Sequence, residues 1–192
     1  MPRLLLGLVL FGIGIAFTAV SELGLAPWEV FHQGISRRTG LPLGTVGIIA
    51  GALVLLAWIP LRERVGLGTL LNFTIIGIVI DVTLIILPEE AGSLAWRWVA
   101  VVGGILMVGV GSGLYIGAGL GPGPRDGLMT AFARRGYKMR RTRTLIEVAV
   151  LVIGWTMGGT IGPGTVLFAF GVGPTVEYFL LRGGGVPRYV DL

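Results

Sequence analysis

Asp81, Glu147 and Glu177 are carboxylates set inside long apolar runs. An isolated carboxylate in hydrocarbon costs several kcal/mol. It persists by facing a bundle interior, by pairing with a cation, or by carrying a proton. Acids placed this way are candidates for proton or ion coupling, and that role is expected first of Asp81 and Glu177. Each also has a structural reading. Glu177 lies near Arg182 and Asp81 is not far from Pro88, so either could reach interfacial water. Glu147 follows Arg143 by one helical turn, a spacing that permits an i,i+4 ion pair.

A second group with chemical potential is Arg125, between Pro124 and Asp126 in the run Gly121-Pro122-Gly123-Pro124-Arg125-Asp126-Gly127. Proline suits the first position of a helix, and an acid in the first turn favours the helix dipole. An arginine beside such an N-terminus can hold an anionic group through two parallel hydrogen bonds. Gly123, Pro124, Arg125 and Asp126 are therefore candidate substrate contacts. So are Pro27, Trp28 and Glu29, which form a similar break earlier in the chain. The plainer alternative for Arg125 is a local ion pair with Asp126.

Other chemistries find no support. Cysteine is absent and there is one histidine, His32, so neither thiolate chemistry nor an N/S metal site is expected. His32 reads as a solvated loop residue. Gly66-Leu67-Gly68-Thr69 and Gly162-Pro163-Gly164-Thr165 lack the lysine of a phosphate loop. They read as helix starts packed against the broken segments, with Thr69 and Thr165 as caps. Ser112 has no base near it in sequence. No enzyme activity and no cofactor is expected.

The elements that must position these groups are membrane helices. Of 192 residues, 54% are hydrophobic and 13% charged, against about 25% charged in a soluble domain. Crossing the hydrocarbon takes about 20 apolar residues. Six stretches approach this: Leu4–Ser21, Leu43–Leu61, Val65–Leu87, Trp98–Leu120, Leu145–Gly159 and Gly164–Leu181. The first could pass for a signal peptide, but more spans follow and it reads as a transmembrane helix. The net charge of +5 sits in the connections between spans, so topology rather than nucleic acid accounts for it.

The chain also repeats itself. At an offset of 97 residues, Gly12 falls on Gly109, Pro27 on Pro124, Arg37-Arg38 on Arg134-Arg135, Thr45 on Thr142 and Trp58 on Trp155. After one deletion the offset is 96, so that Gly77 meets Gly173 and Asp81 meets Glu177. Residues 1–90 and 96–182 are read as two three-span halves of one transmembrane domain, with 183–192 as a short cytoplasmic tail. An odd span count turns a direct sequence repeat into an inverted-topology structural repeat. With the N-terminus cytoplasmic, that side carries Arg3, Arg62, Arg64, Arg125, the basic run from Arg134 to Arg143, Arg182 and Arg188. The other side carries only Arg37, Arg38 and Arg97, besides the acidic Glu89-Glu90. This asymmetry predicts a multi-pass protein of the bacterial plasma membrane with both termini cytoplasmic. Trp58, Trp96, Trp98 and Trp155 fall near span ends, where aromatic belts form.

The expected fold is an all-α membrane protein of six transmembrane helices in a 3+3 inverted repeat. Each half also carries a Gly/Pro-broken short helix, re-entrant or interfacial. Irregular backbone at membrane depth survives only when buried in protein or facing water, so paired breaks point to a central polar cavity.

The strings Gly-Leu-Ala-Pro-Trp-Glu (24–29), Gly-Leu-Gly-Thr (66–69) with Asp81, and Gly-Pro-Gly-Pro-Arg-Asp-Gly-Leu-Met (121–129) carry a likeness. So do Arg143 with Ile146-Glu147, and Gly154-Trp155. Together they resemble the YczE/YyaS family of small bacterial integral membrane proteins, with Pro122 as a departure from its pattern. The resemblance implies an integral membrane protein and no particular substrate. The leading expectation is a secondary transporter or permease for a small polar or anionic solute, working by alternating access in the lipid bilayer, as a homodimer. The competing expectation is a non-transporting membrane partner or regulator of an assembly or biosynthetic enzyme, with the Arg134–Arg143 run as its contact.

Overall fold

A computed structural model of the chain describes residues 1–87 and 92–182, the last by its backbone alone; Glu89-Glu90, Arg188 and the expected tail lie outside the described residues. The described residues form eight α-helices: α1 Pro2–Val20, α2 Pro27–Thr39, α3 Leu43–Leu61, α4 Leu67–Ile86, α5 Leu94–Ile116, α6 Pro124–Ala133, α7 Met139–Thr156 and α8 Pro163–Arg182. Five of them, α1, α3, α4, α5 and α8, are long and apolar enough to cross a membrane. Ile85 is 84% exposed and Phe170 77%, large side chains on surfaces that suit lipid rather than water.

Five of the six expected spans meet that length and composition, and the sixth, on α7, does not. The apolar run Leu145–Gly159 is carried largely on α7, but that helix begins six residues earlier and opens with Arg140, Arg141 and Arg143. Its charge, with Glu147, takes it out of the set that length and composition alone would send through hydrocarbon.

At the centre, α1 and α5 cross backbone against backbone. A Cβ on Gly7 would stand 2.7 Å from Gly111 O, and one on Gly14 would stand 2.6 Å from Gly104 O. The earlier contact of α1 meets the later contact of α5, so the two helices run antiparallel. Small residues permit this approach, and van der Waals packing then holds the pair where lipid offers no hydrophobic drive. The far end of the crossing is tied by Arg97, whose Nε donates to Ser21 O at 2.7 Å and whose Nη2 lies 3.1 Å from Glu22 Oε2.

The remaining packing comes in matched pairs. α4 lies on α1, and α8 on α5. α2 packs on α7, and α6 on α3. Arg38 donates to Met157 O at 3.2 Å and Thr156 O at 3.0 Å, covering carbonyls at the end of α7. Arg135 Nη2 donates to Leu61 O at 2.8 Å at the end of α3, and Arg134 pairs with Glu63 beside it. The last carbonyls of a helix have no intrahelical donor, and cations there also meet the negative end of the dipole.

Candidate functional site

The chain breaks where glycine and proline interrupt it, and the break brings four elements together. Gly24 (φ +110°) and Gly121 (φ +121°) hold backbone conformations that side chains rarely adopt. Each also abuts a helix start from the other half. Gly164 N donates to Leu23 O at 2.7 Å, and Gly68 N to Leu120 O at 2.8 Å. Thr69 Oγ1 accepts from Gly66 N at 3.3 Å and donates to Pro122 O at 2.8 Å; Thr165 Oγ1 accepts from Gly162 N at 3.2 Å. The two threonines thus cap by reaching back from within the first turn, to the N–H of the residue that opens it.

From these breaks α2 and α6 start with Pro27 and Pro124 at their first turns, behind the extended residues Ala26 and Gly123. Both N-termini face one cavity of about 540 Å³. It lies among all eight helices, and its wall is built from equivalent positions of the two halves. Pro27 and Pro124, Glu29 and Asp126, and Gly77 and Gly173 all line it. Its chemistry is not symmetric. Arg125 stands where the first half has Trp28, Ser112 where it has Ile15, and Glu147 where it has Ala50.

The structure places the expected site residues as follows. Gly123, Pro124, Arg125, Asp126, Pro27, Trp28 and Glu29 all line the cavity. Arg125 pairs not with Asp126 but with Glu29, Nη2 to Oε1 at 2.7 Å. Its guanidinium carbon also sits 4.9 Å from the centroid of the Trp28 ring. The Glu29 side chain is only 4% exposed and Arg125 33%, so the acid is nearly enclosed while the cation keeps an open side. Asp126 accepts from the Tyr115 hydroxyl at 3.1 Å.

The three expected coupling acids differ in their surroundings. Glu147 and Glu177 line the cavity. Glu147 takes the expected i,i+4 partner, with Arg143 Nε to Oε1 at 2.9 Å. Asp81 lies at the N-terminus of α3, where it accepts from Gly44 N at 2.5 Å, Thr45 N at 2.8 Å and Thr45 Oγ1 at 2.8 Å. Glu177 is exposed and has no hydrogen-bond or ion-pair partner among the described residues.

Two residues depart from their sequence reading. Trp58 is buried rather than at an aromatic belt, and its Nε1 donates to Pro124 O at 3.2 Å. Gly127 is what admits it, because a Cβ there would collide with the indole. His32 is not a solvated loop residue; it is buried on α2 at the cavity wall. Burial, and then the nearby Arg125 charge, hold its imidazole well below the ordinary value of 6.5, so it is neutral. Asn72 and Tyr115 also line the cavity and were not singled out by the sequence. Each lies inside a long apolar helix, where a lone polar residue was the available signal.

Comparison with known proteins agrees with the membrane reading. An uncharacterized protein of Haemophilus influenzae is 39% identical over 178 residues, 92% of this chain and 81% of its own length. The uncharacterized membrane protein YczE of Bacillus subtilis is 35% identical over 180 residues, 91% of this chain and 82% of its own. The uncharacterized protein YyaS of the same organism is 27% identical over 169 residues, 84% and 83% of the two chains. No solved structure matches. The model of a family of unknown function, DUF6198, matches residues 1–180, and with relatives such as YczE this places the chain in that family as a multi-pass helical membrane protein.

Proposed function

We propose that this protein is a secondary transporter of a small polar solute, with the central cavity as the binding site and the two halves as inverted repeats that rock against each other. The observation that carries the reading is the cavity itself. It sits between two helix N-termini at Gly/Pro breaks, and equivalent positions of both halves line it. The antiparallel crossing of α1 and α5 supports the inversion, since these helices are counterparts at an offset of 97. The matched packing of α4 on α1 and α8 on α5 supports it further. Counting α7 as a sixth crossing, the basic bias supports a cytoplasmic side for both termini. In a homodimer each chain would carry its own cavity.

Charge balance bears on the solute. Arg125 and Arg143 each already face a carboxylate, Glu29 and Glu147. Asp126 and Glu177 remain without a cation among the described residues. A wall with unmatched acids and apolar surroundings favours a solute bearing an amine over a simple anion. Glu177 is then the first candidate to exchange a proton for the solute, ahead of Asp81, which is committed to α3, and of Glu147, which is paired.

The test is flux in proteoliposomes under an imposed pH gradient, with choline, methylammonium, acetate and inorganic phosphate as radiolabelled probes. Saturable, gradient-dependent uptake of an amine, lost in Glu177→Gln, is the expected result. Absence of flux for every probe overturns the reading and leaves the non-transporting membrane partner as the better one.

A further inference from the structure

The two halves pack against their own last helices differently. In the first half α3 lies along α4. A Cβ on Gly77 would stand 2.6 Å from Gly44 O and would collide with Ile48, and a Cβ on Gly44 would collide with Gly77 O. Asp81 closes this seam through its three hydrogen bonds to Gly44 and Thr45. In the second half α7 forms no comparable seam with α8. A Cβ on Gly173, the counterpart of Gly77, would meet nothing within 4 Å. Glu177, the counterpart of Asp81, lines the cavity without a partner among the described residues.

We infer that α7 and α8 are the open half of a two-sided latch, and that Glu177 engages the first turn of α7 in a second conformation of the protein. The groups it needs are in place. Thr142 stands at the position of Thr45, and Arg141 at that of Gly44. The Thr142 N–H is already given to Lys138 O at 3.0 Å. The carboxylate of Glu177 would therefore take the Thr142 hydroxyl and the Arg141 N–H, which lies in the first turn and has no intrahelical acceptor. The positive end of the helix dipole adds to this. Arg141 in place of glycine holds the seam wider by a side chain, and Glu177 is one methylene longer than Asp81. The longer acid matches the wider seam. The inference rests on the alternating-access reading, in which closing one seam while opening the other presents the cavity to each face in turn.

The chain has no cysteine, so introduced thiols are unique. The 192-residue chain carrying Leu145→Cys with Gly173→Cys, in liposomes, is treated with a short bifunctional methanethiosulfonate. Linkage within the chain is read by mass spectrometry. Linkage is expected, and adding Glu177→Ala should lower it several-fold. A second readout uses Gly173→Cys alone, whose rate of labelling by N-ethylmaleimide should rise when Glu177→Ala is added. Failure of the pair to link, or indifference of both readouts to Glu177→Ala, overturns the latch. Linkage without flux of any probe solute keeps the latch and removes the transport reading. Flux without linkage keeps transport and removes the latch.

Discussion

Arg125 Nη2 donates to Glu29 Oε1 at 2.7 Å, tying the first turn of α6 to the first turn of α2 across the cavity. Glu29 is nearly enclosed, and Arg125 is the cation paired with it. Removing one member of a buried pair costs about 3–5 kcal/mol, and the partial exposure of Arg125 lowers that to about 2 kcal/mol here. Arg125→Ala and Glu29→Ala are each expected to lower the thermal midpoint in detergent by several degrees. The double variant should lose less than the sum. A double-mutant cycle with zero coupling would remove the pair as a support of the site.

The crossing of α1 and α5 makes a sharper prediction, because it has an internal control. A Cβ on Gly104 would stand 2.6 Å from Gly14 O, whereas one on Gly103 would meet nothing within 4 Å. Gly104→Leu should push the helices apart and cost at least about 1–3 kcal/mol. Gly103→Leu should be close to neutral. Thermal unfolding monitored by size-exclusion chromatography reads both, and equal losses would show that the close crossing is not what holds the helices.

The paired arginines offer a third test. Arg38 covers the end of α7 and Arg135 the end of α3, each reaching across to a helix of the other half. A hydrogen bond from a charged group contributes about 1.5–3 kcal/mol, less where solvent reaches it. Arg38→Gln and Arg135→Gln should each destabilise by about 1 kcal/mol. Each should also speed amide exchange at the last turn of the helix it caps, and Arg38→Gln should do so at Ser36–Leu41 as well. No change in exchange at the ends of α7 and α3 would assign these residues to topology alone.

The elements legible in the sequence were those set by local chemistry. Proline and glycine at 24–27 and 121–124 marked where helices stop and restart, and the structure has α2 and α6 beginning there. Thr69 and Thr165 read as caps because a hydroxyl close to a helix start reaches its free N–H groups. Arg143 and Glu147 read as a pair because one helical turn separates them. What stayed hidden depends on which helices touch. Nothing local distinguishes Glu29 from Asp126 as the partner of Arg125; the packing of α2 and α6 around one cavity decides it. Asp81 read as an isolated acid because the start of α3, 36 and 37 residues away, is invisible at its own position. Trp58 looked interfacial because Gly127, which makes room for it, lies on a different helix.

His32 yields a pH dependence with a definite sign. Its imidazole is buried on α2, outside the five candidate spans, and is held neutral by burial and by Arg125. A folded state that lowers the affinity of a base for its proton binds fewer protons than the unfolded state, so stability rises with pH through this window. The penalty is absent well above the ordinary value of 6.5 and grows as pH falls below it toward the depressed folded value. The thermal midpoint in detergent should therefore fall between pH 7 and pH 5 by more in the parent chain than in His32→Gln. His32 also touches Trp28 and Phe31, with ring centroids 6.3 and 6.1 Å away. The glutamine variant should accordingly start from a lower midpoint at pH 7 and show the flatter slope. Parallel curves for the two proteins would show that His32 is not the source of the acid sensitivity.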